Sequence, residues 1–180
     1  MKFRYLFISV LCCLASVSFA QKHLTILHTN DTHSCILPLK TTLADTLLAG
    51  RAGFVRRISV IDQERAKNKS LLLFDSGDFS QGSPFYTLFK GDVEIGLMNR
   101  MHYDASTIGN HEFDFGMENM ARIFKKANFP ILCSNYDLKG TPLEGIVKKY
   151  IIRQSIYIQI SSLNGRDNKI FDKIWIYKRD

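Results

Sequence analysis

The chain has 180 residues, 46% of them hydrophobic and 23% charged, which excludes disordered, collagen-like and coiled-coil classes and suits about one globular domain. Its formal charge of +7 includes no Lys/Arg cluster with interleaved aromatics, so specific nucleic-acid binding is not expected. Modest positive charge favours an anionic substrate, but only weakly, and pairs such as Lys125-Lys126 and Lys148-Lys149 read as solvated surface.

Residues 1–20 stand apart from the rest. Lys2 and Arg4 head an apolar run from Tyr5 to Ala20, and Ser18 and Ala20 sit just before a candidate cleavage point at Gln21. That is the layout of a secretory signal peptide. The apolar run is shorter than the roughly 20 residues a bilayer span needs. Export to the periplasm or the extracellular space is expected, with no membrane span left after cleavage. Cleavage removes Cys12 and Cys13 and lowers the formal charge from +7 to +5. Cys35 and Cys133 remain, and an oxidising compartment permits a disulfide between them, with two free thiols as the alternative.

Leu24–His28 then reads as a buried strand ending in the polar loop Thr29-Asn30-Asp31-Thr32-His33. Phe54, Ile58 and Ile61 share one face of a helix over 54–68. Leu71–Asp75 is a second strand, opening into Ser76-Gly77-Asp78. A helix over Asp92–Met101 precedes a third strand at Ala105–Ile108, which runs directly into Gly109-Asn110-His111-Glu112. Gly116–Asn128 is helical, with Met120, Ile123, Phe124 and Ala127 inward, and Pro130–Cys133 is a fourth strand leading to Ser134-Asn135. Ile151–Ile160 alternates like a strand, whereas Ser161–Asp180 has little patterning.

This alternation predicts an α/β fold with a largely parallel sheet and helices on both faces. The expected organisation is a signal peptide at 1–20, a domain at 21–150 and a divergent tail at 151–180. Each strand releases acidic, amide or imidazole groups just past its C-terminal end, the edge where open α/β sheets assemble ligand sites.

Three clusters carry the chemistry. Asp31 and His33 are two residues apart, so in an extended stretch both would project the same way, as two ligands on one ion. Asp78 follows Gly77, where the backbone can bend closely around an ion. Asn110 and His111 add an amide oxygen and an imidazole. Mixed oxygen and nitrogen donors suit zinc, manganese or iron rather than a thiolate site. Glu112 is either a supporting group or a helix-start acid, Asp75 is structural, and Asn135 stands at the same edge.

His28-Thr-Asn-Asp31-Thr-His33, Gly77-Asp78-Phe-Ser-Gln-Gly82-Ser and Gly109-Asn110-His111-Glu112-Phe-Asp114-Phe-Gly116 resemble the leading motifs of the calcineurin-like metallophosphoesterases. Within that superfamily they are most similar to the periplasmic 5'-nucleotidase / 2',3'-cyclic phosphodiesterase family, over about Leu24 to Tyr150. The resemblance implies a partial metallophosphoesterase fold of β-sheet layers flanked by helices. It implies Asp31 and His33 on one metal ion, Asp78 bridging two, Asn110 on the second, His111 as the catalytic histidine, and Asp114 orienting and charging it. A nucleotide or other phosphate-ester substrate would follow, hydrolysed by water activated between two divalent ions such as zinc or manganese.

The family adds a later histidine and a Gly-His-x-His motif, whereas no histidine follows His111 here. The expectation is therefore a chain truncated before the later strands, holding at most one weakly bound ion and prone to self-associate through exposed sheet. An inactive remnant or weak metal-binding protein is the alternative function.

Overall fold

The computed structural model describes residues 24–153, 156–161 and 173–178. Residues 1–20, expected to be a signal peptide, and part of the tail lie outside the described residues. The elements in order are β1 (Ile26–Thr29), α1 (Phe54–Lys67), β2 (Leu72–Asp75), α2 (Pro84–Phe89), α3 (Asp92–Arg100), β3 (Ala105–Thr107), a short 3-10 turn (His111–Phe113), α4 (Gly116–Phe124), β4 (Ile131–Leu132), β5 (Ile151–Arg153), β6 (Ile156–Ser161) and β7 (Lys173–Lys178).

β1 to β4 form a parallel sheet in sequence order, with His28 opposite Phe74 and Phe74 opposite Ala105. When parallel strands follow one another across a sheet through right-handed crossovers, every connecting helix falls on the same face. The packing agrees. Leu73 points into a large cluster with Ile61, Ile95, Met98, Met101 and Met120, residues of the helical layer and its loops. Phe74, Ala105 and Leu132 point the other way, joined by Ile26, Leu72 and Ile151. Over that second face β6 lies against β3 and β4, as part of an antiparallel sheet in the order β5-β6-β7. The helices on both faces expected from alternation are thus corrected to helices on one face and a second sheet on the other, which agrees with the α/β fold of sheet layers flanked by helices that the resemblance implies. Strand composition could not separate the two, because a parallel strand buried on both faces is apolar whatever covers it.

Two further expectations change, the first being that Ile151–Ile160, read as one strand, holds two antiparallel ones, β5 and β6, with Ile151 opposite Ile158. The segment read as unpatterned contains β7, which pairs with β6 from Ile156 opposite Lys178 to Ser161 opposite Lys173. Its Ile174-Trp-Ile-Tyr177 run has the β-branched and aromatic content that suits a strand, and only the lack of clear alternation hid it. α2 is too short to show a helical period, although its Ser83 cap and Pro84 start are legible signals. Both Cys35 and Cys133 are free thiols.

The ends of three strands are tied at Asp75, which is buried. Its Oδ2 accepts from the Thr29 hydroxyl at 2.6 Å, and its Oδ1 accepts from the Gly77 amide at 3.0 Å and the Ser106 hydroxyl at 3.1 Å. Thr29 in turn bonds the Tyr103 hydroxyl at 2.7 Å. Burial pushes the Asp75 carboxyl up from 3.8 to about 6, against these donors. A raised carboxyl pKa means that the folded state binds the proton more tightly than the unfolded one. The stability this group contributes is present below its unfolded pKa and is lost as pH rises through about 6. Asp75→Asn keeps the shape, and its amide can donate to Thr29 while its oxygen accepts from Gly77 and Ser106. In metal-free protein the variant is expected to gain stability over wild type between about pH 4 and about pH 7, levelling off on the order of 2–3 kcal/mol. Urea unfolding of both proteins in chelator checks this, and a difference that does not change with pH would contradict it.

Candidate metal centre

The loop after β1 is laid along the loop after β2 by backbone bonds. Asp31 N donates to Gly77 O at 3.2 Å, His33 N to Asp78 O at 3.0 Å, and Ser34 N to Phe79 O at 2.9 Å. Asp31, His33, Ser34 and Asp78 have φ of 49°, 42°, 49° and 50°, the left-handed region that non-glycine residues adopt only when their surroundings force it. The extended geometry expected for Asp31 and His33 is therefore corrected. They converge through a left-handed turn, with His33 Nε2 3.7 Å from Asp31 Oδ1.

The loops after β2 and β3 meet at glycines. A Cβ on Gly77, whose φ is 99°, would stand 2.7 Å from Gly109 N, and one on Gly109 would overlap the Asp78 carboxylate. Glu112 locks this contact. Its buried carboxyl accepts from Asp78 N at 3.0 Å, Ser80 N at 3.1 Å and Gly109 N at 2.6 Å. Burial first, then the charges of Asp78 and Asp75, push the Glu112 carboxyl up to about 8. Between the two readings the sequence left open, Glu112 is the supporting group.

These loops bring together the residues singled out in the sequence. One ligand atom each from Asp31, His33 and Asp78 lies within 4.8 Å of the others. His111 N donates to Asp78 Oδ1 at 2.9 Å, and the His33 and His111 rings meet edge to face at 5.2 Å. His111 Nδ1 is 3.1 Å from Asp114 Oδ2. Because a carboxylate only accepts, Nδ1 carries the proton in that bond, and Nε2 faces Asn110. Asn110 lies between Asp78 and His111. With its nitrogen toward Asp78 it donates to Oδ2 at 3.1 Å, while its oxygen accepts from His111 N at 3.3 Å and stands 3.2 Å from His111 Nε2. Asn135, at the same sheet edge, accepts from the Cys133 thiol at 3.4 Å.

The donor set fits a divalent cation. Burial, then the neighbouring Asp78 carboxylate, raise the Asp31 pKa, with His33 and Asn30 opposing. A cation between the carboxylates relieves that repulsion. His33 Nδ1 is buried without a hydrogen-bond partner, and Nε2 is too far from Asp31 to make one. Turned over, the Asn110 amide puts its oxygen against Asp78, an arrangement that only a cation between the two would stabilise. Gly109→Ala is expected to destabilise the fold by about 1–3 kcal/mol, because the new methyl must displace the Asp78 loop. Denaturant unfolding checks this, and a wild-type midpoint would contradict it.

The model of the calcineurin-like phosphoesterase family matches residues 24–179. Snake venom 5'-nucleotidase from Crotalus adamanteus is 38% identical over 149 residues, covering 81% of this chain and 25% of that protein. The 5'-nucleotidase precursor from Thermus thermophilus superposes with a TM-score of 0.65 at 33% identity, over 72% of this chain and 26% of that one. The NAD nucleotidase of Haemophilus influenzae gives 0.62 at 30% identity, over 79% and 24%. This chain spans about a quarter of the length of each of these relatives. With its three strand-end loops converging on one cation-shaped cluster and a family match running nearly the whole described length, the chain belongs to the calcineurin-like phosphoesterase family.

Proposed function

We propose that the protein is an exported, metal-dependent phosphoesterase that hydrolyses nucleotide phosphate esters. The observation that carries this is the convergence of Asp31, His33 and Asp78 beside a His111–Asp114 pair. The nucleotidase relatives support the choice of substrate class. Asp31 and His33 would hold one ion, Asp78 would reach two, and Asn110 would turn its oxygen to the second. When bound, such ions polarise the phosphate and lower the pKa of an attacking water.

The chain's own residues do the rest. Asp114 holds the His111 ring through Nδ1, which aims Nε2 into the site. From Nε2, His111 donates to a phosphate oxygen or delivers a proton to the leaving alkoxide as the ester P–O bond breaks and the bond from water forms. Glu112 and the paired glycines keep Asp78 and Asn110 at the spacing this requires.

A second reading is a metal-binding chain without turnover. Its support is the short ligand list for a second ion, with Asp78 and Asn110 the only candidate ligands named for it among the described residues. Among those residues no helix is long and apolar enough to cross a membrane. Self-association through the edges of the outer sheet belongs to the same proposal, and sedimentation at increasing concentration tests it.

Hydrolysis of AMP with added manganese or zinc separates the two functions. Turnover that chelator abolishes and His111→Ala lowers by about a hundredfold or more supports the esterase. Asp114→Asn is expected to cost about tenfold to a hundredfold, through loss of the group that orients the ring. Metal uptake without phosphate release in any metal would establish the second reading instead.

A further inference from the structure

His33 lacks the support that a metal-binding imidazole ordinarily has. Such a ring usually donates its second nitrogen to a carboxylate, carbonyl or water, which fixes its orientation. Here Nδ1 is buried with no partner among the described residues. Apart from the edge-to-face contact with the His111 ring, the ring's position therefore rests on the backbone of residues 33 and 34, both in the left-handed region.

That backbone is held from behind. Ser34, 2% exposed, donates its hydroxyl to Glu94 Oε1, and Glu94 is 4% exposed on α3. The Ser34 oxygen also lies 2.5 Å from the Ser83 oxygen. Ser83 accepts from Phe85 N at 3.1 Å, at the start of α2. A carboxylate cannot donate, so the chain has one direction: Phe85 amide to Ser83, Ser83 to Ser34, Ser34 to Glu94. Beside it Gly82 is so close to His33 that a Cβ would stand 2.7 Å from the His33 carbonyl oxygen. The other carboxylate oxygen of Glu94, Oε2, is buried without a partner, although Glu94 borders a cavity of about 20 Å³ with Thr32 and Arg57. Keeping a half-satisfied carboxylate in a core costs stability, which a role in stability alone does not explain.

We propose that Glu94 is a positioning residue for the metal centre, holding the left-handed turn at Ser34 so that the His33 ring faces Asp31 and Asp78 without a hydrogen bond from its buried Nδ1. This rests on the reading of Asp31, His33 and Asp78 as metal ligands.

The test is the Mn2+ affinity of the chain, by titration with electron paramagnetic resonance of the free ion, beside the thermal midpoint of each variant. Glu94→Gln keeps the acceptor for Ser34 and is expected to bind within about threefold of wild type. Glu94→Met, close in size but unable to accept, is expected to weaken binding about tenfold or more while the midpoint holds or rises. Ser34→Ala cuts the chain from its other end and is expected to lose affinity by the same order, which keeps the test open if Glu94→Met does not fold. Asp92→Ala frees the same helix from Arg122 and Lys126 and is the control, expected to lower the midpoint but not the affinity. Wild-type affinity in Glu94→Met and Ser34→Ala would overturn the role, as would an equal loss in Asp92→Ala. A wild-type chain that takes up no Mn2+ would remove the metal centre itself, and this role with it.

Discussion

The contact between Gly77 and Gly109 is the constraint on which the centre depends. Neighbouring parallel strands run about 4.8 Å apart, and the loops leaving them ordinarily spread. Here two loops touch at the backbone, closer than any side chain at either glycine would allow. The contact would strand three amides, and the Glu112 carboxyl takes all of them. With that joint made, the Asp78 carboxylate falls against the amide of His111, and the loop after β1 hangs from the carbonyls of Gly77 and Asp78. The whole candidate site is built outward from one close backbone approach.

The same joint concentrates unfavourable terms. Asp31 and Asp78 crowd each other, and Asp75 and Glu112 are buried just behind, with their carboxyls pushed up to about 6 and about 8. Asp31, His33, Ser34 and Asp78 are all held at positive φ in the loops that carry the candidate ligands. Strain and like charge of this kind persist only where the surroundings over-determine them. The surroundings are the apolar cluster between the sheet and its helices, together with the second sheet over the opposite face. A divalent ion would offset the charge in place, so the arrangement makes sense as a scaffold that is stable elsewhere and prepared for a cation here.

Much of this was legible in the chain. The first four strands and the helices α1, α3 and α4 follow from apolar runs and helical spacing, and the polar residues at strand ends marked the edge where the site lies. The motif residues Asp31, His33, Asp78, Asn110, His111 and Asp114 all come together there. What the sequence hid has physical causes. Which layer covers a strand face does not show in a strand that is apolar on both sides, so the residue pattern alone did not place β6 over β3 and β4. The turn at Asp31 and His33 is imposed by bonds to Gly77 and Asp78, more than forty residues away, against local preference. Glu112 and Glu94 look like ordinary helix acids until folding buries them against amides and a serine.

The central claim is that Asp31, His33 and Asp78 form a cation site. Anomalous diffraction from crystals grown with manganese, recorded where that metal scatters anomalously, tests it most directly. A peak is expected among the Asp31 and Asp78 carboxylates and the His33 ring, with the Asn110 oxygen turned toward Asp78. Manganese bound only elsewhere, or none with those side chains ordered as described, would contradict it.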